Sequence, residues 1–307
     1  KLQVRKHTMP NIKANGIQIE YDTFGNKTET PILLVIGIAN QLLSWDDPLC
    51  EKLANAGYYV IRFDNRDVGL STIMDDLGVP DVMETIGKIF EGKSVSVPYT
   101  YDDMADDAAG LLDALGIEKA HLIGMSMGAG IVQTVAIRHP KRLLSLIPIY
   151  GSTGNPKLPP PTPEAWQALT TTPVSEEKEA IVDQFMNTFR VFSGSGFPFD
   201  EAWHKDLAER SYDRGVSPDG LSRQLLAGMA HGNRKPALSK VNVPTLVIHG
   251  SEDPIMNVAG GKDIADAVPN AELMIIDGMG HDMPKLGGAW DQITDRIIEF
   301  TAKVDAK

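Results

Sequence analysis

Three residue types, far apart in the chain, suit one reaction. Ser126 stands in Gly124-Met125-Ser126-Met127-Gly128, Asp253 in Gly250-Ser251-Glu252-Asp253-Pro254, and His281 closes Gly278-Met279-Gly280-His281. A serine hydroxyl is a weak nucleophile at neutral pH. It needs an imidazole to take its proton and return it to a leaving group, and a carboxylate to hold that imidazole in the right tautomer. The chain order serine, aspartate, histidine belongs to the arrangement in which the serine sits on a sharp strand-to-helix turn. Glu252 competes with Asp253 as the orienting carboxylate; Asp253 is preferred because it lies one residue deeper in its loop, before Pro254. The other histidines have weaker claims. His249 lies inside a strand pattern, His139 ends a helix and His121 begins a strand, while His204 and His231 fall in a helical region where packing or solvent is the simpler reading.

The elements that must position these groups follow from hydrophobic periodicity. Ala120 to Ile123 reads as a buried strand, and Ile131, Val132, Val135 and Ala136 recur at helical spacing before Pro140. Between them the G-x-S-x-G turn presents the Ser126 hydroxyl, with glycines allowing close backbone approach. The same turn aims the Met127 amide, at the start of a helix, toward a developing oxyanion. A second backbone donor is expected from the loop after the apolar run Pro31 to Ile38. Ile38, following Gly37, is the choice, with Ala39 as the neighbour that would replace it.

Buried strands alternate with helices along most of the chain. A hairpin around Asn15-Gly16 opens the fold between Ile12 and Phe24. Strands are expected at Tyr58 to Phe63, Leu143 to Tyr150, Pro244 to His249 and Glu272 to Ile276, with helices at Leu49 to Ala56, Thr100 to Leu115, Gly261 to Ala267 and Trp290 to Phe300. The polar turn Asp64 to Ser71 is read as structural and salt-bridged rather than catalytic. From Ser152 the pattern breaks: five prolines between Pro156 and Pro163 lead into helices at Glu176 to Phe192, Glu201 to Tyr212 and Leu221 to His231, with no strand until Thr245. Such an insertion is most simply a cap over the carboxyl ends of a parallel sheet. The expected division is a core of residues 9–152 and 237–307 and a helical cap of 153–236. Residues 1–8 precede Met9 without apolar periodicity and are read as an expression remnant.

The chain has 307 residues, with 29 Lys and Arg against 41 Asp and Glu, and its formal net charge of -12 opposes nucleic acid and anionic membrane surfaces. No segment reads as a membrane span or secretory signal, and one cysteine, Cys50, excludes an internal disulfide; a cytoplasmic setting is expected. No His-Cys or His-Asp cluster has metal-ligand spacing and no dinucleotide fingerprint follows the first parallel strand, so no cofactor is implied.

Asp64-Asn65-Arg66-Asp67-Val68-Gly69-Leu70-Ser71, Gly124-Met125-Ser126-Met127-Gly128, the stretch Phe192-Ser193-Gly194-Ser195-Gly196-Phe197-Pro198-Phe199-Asp200 and Gly278-Met279-Gly280-His281 together resemble the α/β-hydrolase superfamily, and within it the aclacinomycin methylesterase group of serine carboxylesterases. The resemblance runs from about Asn11 onward. It implies a mostly parallel eight-stranded sheet flanked by helices with an inserted helical cap, a triad of Ser126, Asp253 and His281, and an oxyanion hole of the Ile38 and Met127 amides. Ile36-Gly37 replaces the His-Gly common in the superfamily, and Ile38 stands where the methylesterase has a glycine, making a bulkier pocket wall.

The expected activity is carboxylic ester hydrolysis through an acyl-enzyme, on a small-molecule ester. Peroxide-dependent acyl transfer, carbon-carbon bond hydrolysis or amide hydrolysis on the same triad, and a ligand receptor that retains the fold without turnover, are the alternatives. Trp45, Met125, Phe192, Phe197, Met229 and Met256 are expected to line an apolar substrate pocket, with Phe199, Met127 and Met283 as further candidates, although each suits plain core packing equally.

Overall fold

A computed structural model describes residues 10–171 and 173–307; the N-terminal stretch 1–8 lies outside them. Eight strands form one sheet: β1 (Asn11–Ala14), β2 (Ile17–Phe24), β3 (Thr30–Val35), β4 (Tyr58–Phe63), β5 (Ala120–Met125), β6 (Leu143–Ile149), β7 (Leu246–Gly250) and β8 (Glu272–Ile276). Their order is β1-β2-β4-β3-β5-β6-β7-β8, with β1, β2 and β4 paired antiparallel and every later pairing parallel. The central strands are mostly apolar, with β4 and β5 buried along their whole length and β3 from Ile32 onward, as the two-sided burial of a parallel sheet demands.

Helices cover both faces. On one face α3 (Tyr101–Ala114), α4 (Met127–Arg138) and α10 (Ala259–Ala267) pack through Met104, Leu111, Ile131 and Ile264. On the other, α1 (Asp47–Asn55) and α11 (Ala289–Asp305) contribute Leu49, Leu53, Ile293, Ile297 and Phe300. The start of α3 is fixed by a capping box, in which the Thr100 hydroxyl accepts the Asp102 amide and Asp103 accepts the Thr100 amide.

Between β6 and β7 the chain forms α5 (Pro163–Thr170), α6 (Lys178–Phe192), α7 (Glu201–Arg214), α8 (Pro218–His231) and the short α9 (Lys235–Leu238), which runs across the boundary expected at 236. α2 (Val82–Phe90), outside this segment, packs Ile86 against Leu225 and Leu226 of α8. Two of these helices are bolted to the polar turn after β4. Asp64 pairs with Arg214 of α7 and accepts the amides of Leu42 and Leu70, while Asp67 takes a two-pronged ion pair from Arg223 of α8 at 2.8 and 2.9 Å and the Tyr99 hydroxyl at 2.7 Å. Arg66 is engaged by Asp107 of α3 at 2.6 and 2.7 Å. The whole turn is thus consumed by structure, in line with its reading from sequence. No helix among the described residues is long and apolar enough to cross a membrane.

Candidate active site

Sheet order decides what meets what. From β3 the chain moves to β4 on one side, then returns to β5 on the other, so β3 and β5 are parallel neighbours whose carboxyl ends open a crevice at a topological switch point. The register Val35 opposite Gly124 sets Gly37 beside Ser126: a methyl group on Gly37 would lie 3.1 Å from the Ser126 Cβ. Ser126 has φ 56° and ψ -120°, a conformation costing a non-glycine residue about 1–3 kcal/mol. The turn is held by the Ser126 amide donating to the Ile149 carbonyl at 3.0 Å and the Ala129 amide to the Ser126 carbonyl at 2.9 Å.

The glycines of the motif are required by contact. A Cβ on Gly124 would sit 2.2 Å from the Gly128 carbonyl oxygen, and one on Gly128 would sit 2.2 Å from the carbonyl oxygen of Val35 in β3. Neither neighbour is a flexible side chain. Gly128→Ala is therefore expected to destabilise the protein by on the order of 3 kcal/mol and to lower activity by prising β3 from the elbow, with thermal melting and ester turnover as the checks. A wild-type melting point would contradict the tight packing of this turn.

His281 lies past β8 and is half of a tight backbone docking. Its amide donates to the Phe192 carbonyl at 2.7 Å, Gly196 donates to the Gly278 carbonyl at 2.9 Å, and a Cβ on Gly194 or Gly280 would collide with backbone oxygen at 2.2 or 2.1 Å. The segment after α6 thereby fixes the histidine loop. The imidazole is packed by Tyr150 at 4.7 Å and Phe192 at 5.6 Å between ring centres. Its Nε2 lies 2.8 Å from the Ser126 Oγ and its Nδ1 2.7 Å from Asp253 Oδ2. A carboxylate only accepts, so the proton of the neutral ring sits on Nδ1 and Nε2 is left to accept from serine.

Asp253 is buried and fully coordinated. Its Oδ1 accepts the amides of Ile255 at 2.9 Å and Met256 at 2.7 Å. His249, set aside on sequence grounds, also reaches it: its Nε2 lies 3.3 Å from Asp253 Oδ2 while donating to the Met256 carbonyl at 2.6 Å. Burial pushes the Asp253 carboxyl up, but His281 and His249 outweigh this and hold it at about 2. It stays ionised wherever the imidazole can act as a base. The competing Glu252 turns away, accepting the Ser195 amide at 2.7 Å and its hydroxyl at 2.9 Å.

Asp282, beside His281, is different. It is buried, its Oδ2 accepts the Ser193 hydroxyl at 2.8 Å, and its Oδ1 has no partner among the described residues. Burial, only partly offset by Ser193 and His281, pushes its carboxyl from 3.8 up to about 6. The native state thus keeps a proton that the unfolded chain has released, so stability falls as pH rises from about 4 to about 6 and stays reduced above that. Asp282→Asn keeps an acceptor for Ser193. It is expected to raise the unfolding free energy by about 1–3 kcal/mol at pH 7.5 and by much less at pH 4, measured by urea titration. An equal gain at both pH values would contradict the assignment.

Around Ser126, the amides of Ile38 and Met127 make no hydrogen bond among the described residues, the latter being a first-turn helix amide with no intrahelical partner. The Ala39 amide is already taken, by Gln224 Oε1 at 2.8 Å, which favours Ile38 over Ala39. The side chains expected to form a wall separate into groups. Phe192 packs with Ile255 and partly buried Met256, and Met229 joins Ile38, Leu225 and Leu226, so these flank His281 and the loop after β3. Met125 is buried under the turn, its sulfur accepting the Tyr150 hydroxyl at 2.9 Å. Phe197 packs beside Gly287 against the lower core, and Phe199 stacks on His204 at 4.2 Å. Trp45 is a correction: with 0% exposure it is core, because the chain after β3 carries it into the apolar layer between the sheet and helices α1 and α11, with Leu49, Cys50 and Ile293.

The family model for the alpha/beta hydrolase fold matches residues 30–287. The chain is 28% identical over 294 residues to a rhodomycin D methylesterase of Streptomyces sp. (strain C5), covering 89% of this chain and 92% of that protein. It is also 28% identical to the rhodomycin D methylesterase of Streptomyces peucetius, over 85% of this chain and 87% of the relative. Among solved structures, a meta-cleavage product hydrolase from Pseudomonas fluorescens superposes with a TM-score of 0.72 at 21% identity, covering 96% of this chain and 97% of that one. A match across the sheet, the elbow and the histidine loop, joined to this strand order, means that the chain belongs to the α/β-hydrolase family.

Proposed function

We propose that Ser126, His281 and Asp253 are a catalytic triad, that the amides of Ile38 and Met127 are its oxyanion hole, and that the protein is a serine carboxylesterase. The observation that carries this is the Ser126 hydroxyl, held in a strained turn at a helix N-terminus, within 2.8 Å of an imidazole that a buried carboxylate orients. Ser126 Oγ attacks the ester carbonyl carbon as its proton passes to His281 Nε2. The carbonyl oxygen becomes an oxyanion facing the two free amides, where preorganised donors act most strongly. Collapse breaks the carbon-oxygen bond and the imidazolium hands its proton to the leaving alcohol. Water then enters, loses a proton to the same imidazole and releases the acid, restoring Ser126.

The relatives named as methylesterases support a small carboxylic ester, methyl esters included, and the apolar flank of Ile38, Phe192, Met229 and Met256 supports an apolar acyl or alcohol group. We take residues 153–236 as the cap and the remainder as the hydrolase core, because the intervening helices press Phe192 and Gln224 onto the site. The net charge of -12 opposes nucleic-acid partners, and the single cysteine, buried and free, accords with a cytoplasmic setting. The test is turnover on p-nitrophenyl acetate through octanoate and on matched p-nitroanilides, with methanol release followed on methyl esters. Esters should be cleaved well above the anilides. Anilide cleavage without ester cleavage would contradict the reading.

A further inference from the structure

The loop that carries the Ile38 amide is not self-supporting. It is a turn closed by the Asn40 amide on the Gly37 carbonyl at 3.4 Å and by the Asn40 side chain donating to the Ile38 carbonyl at 2.9 Å. Within it Ala39 has φ 54°, a left-handed conformation that an alanine rarely adopts without support. Ala39 is also exposed, so packing does not hold it there.

What holds it comes from 185 residues away. The side-chain oxygen of Gln224, on α8, accepts the Ala39 amide at 2.8 Å, and its nitrogen donates to the Arg66 carbonyl at 2.8 Å. Gln224 is fully buried. An amide can bridge an N–H and a C=O in this way only with one orientation, so the Arg66 carbonyl fixes which end of Gln224 faces the loop. Its neighbour Arg223 anchors the same helical turn through the ion pair with Asp67, and Asn65 of the same polar turn donates to the Ile36 carbonyl at 3.0 Å, just ahead of the loop. The loop after β3 is therefore clamped on both sides by the turn after β4, with Gln224 as the link on the far side.

We propose that Gln224 is a positioning residue for the oxyanion hole: by occupying the Ala39 amide it keeps Ala39 left-handed and leaves the Ile38 amide pointing at the reacting carbonyl. Without that acceptor Ala39 relaxes toward negative φ and the Ile38–Ala39 and Ala39–Asn40 peptides rotate; this breaks the Asn40 contacts with the Ile38 and Gly37 carbonyls that close the turn, so the preceding Gly37–Ile38 peptide, which carries the Ile38 amide, loses its alignment. The inference rests on the Ser126 esterase reading. It makes the cap a part of the transition-state machinery, since Gln224 supports a group that acts only once the oxyanion forms.

The experiment compares wild type, Gln224→Met and Gln224→Glu on p-nitrophenyl butyrate, with a trifluoromethyl ketone as a tetrahedral-adduct inhibitor. Methionine keeps the shape and loses both hydrogen bonds; glutamate keeps an acceptor for the Ala39 amide and loses the donor to Arg66. The expected result for Gln224→Met is a fall in kcat of about 10- to 100-fold with KM within about 3-fold, and a matching loss of ketone affinity. Gln224→Glu should retain kcat within about 5-fold of wild type. A Gln224→Met enzyme with wild-type kcat and ketone affinity overturns the inference, as does a loss that falls on KM alone. If Gln224→Met does not fold, amide exchange of the wild type decides: slow exchange at Ala39 supports the clamp, and exchange at the open-loop rate overturns it. Failure of the underlying reading looks different, because the wild type itself would then neither hydrolyse esters nor bind the ketone.

Discussion

Ser126→Ala is expected to lower kcat for ester hydrolysis on the order of 10⁵-fold while the protein keeps its fold. On the proposed mechanism the variant lacks the nucleophile and keeps only substrate binding and the oxyanion donors, which by themselves sustain only a small residue of catalysis. The serine contributes little to packing, being half-buried at the mouth of the crevice, so melting should be near wild type. A second serine sharpens the comparison. Ser145 Oγ lies 2.7 Å from His121 Nδ1, and His121 Nε2 lies 3.1 Å from Asp305, giving the same three residue types in contact. That set sits where β5 and β6 begin, at the opposite end of the sheet, and both Ser145 and His121 are fully buried. Unlike Ser126, Ser145 lies within a strand and has no positive φ, and the set ties the end of α11 to the sheet. Ser145→Ala should leave kcat within about 3-fold of wild type, so the pair of variants separates contact of the three residue types from the elbow that makes them reactive.

The largest expected effect on stability is at the anchor of α8. Arg223 and Asp67 are both fully buried, and replacing the arginine alone strands a carboxylate that retains only the Tyr99 hydroxyl and the Met74 amide. Arg223→Met is expected to cost about 3–5 kcal/mol by urea denaturation. The double variant Asp67→Asn with Arg223→Met should lose less than Arg223→Met, since no unpaired charge then stays buried. Additive losses would show that packing, and not the ion pair, fastens α8. Activity should fall in Arg223→Met as well, because the same helical turn carries Gln224.

The sheet and the placement of Ser126, Asp253 and His281 at strand ends were legible because each depends on short-range patterns. An apolar run makes a buried strand, glycines permit the turn, and residues just past a parallel strand gather at one edge. Helices α2 and α5 were not read. Their signals were present in Asp81, whose side chain accepts the Glu84 amide, and in Thr162-Pro163, a cap followed by a first-turn proline. The proline cluster before α5 masked the latter as an irregular entrance. Gln224 could not be placed by any local rule: its partners, Ala39 and Arg66, lie far off in sequence, and an amide side chain carries no mark of which remote partner it will meet. Trp45 and His249 meet near neighbours, Cys50 and Asp253, but whether an indole faces core or pocket, or a strand histidine reaches the next loop's carboxylate, depends on how the loop folds back. Phe192 to Gly196 is intermediate: it entered as a family pattern, while its physical reason, glycine backbone docked on the histidine loop, became visible only in three dimensions.

The central claim is that the Ser126 hydroxyl is the activated nucleophile, and its most direct test is labelling with a fluorophosphonate followed by peptide mass spectrometry. The account predicts one phosphonyl adduct per chain, on Ser126, forming in step with loss of esterase activity and absent from Ser126→Ala. Full labelling at another residue, or persistent ester turnover with Ser126 unmodified, would contradict it.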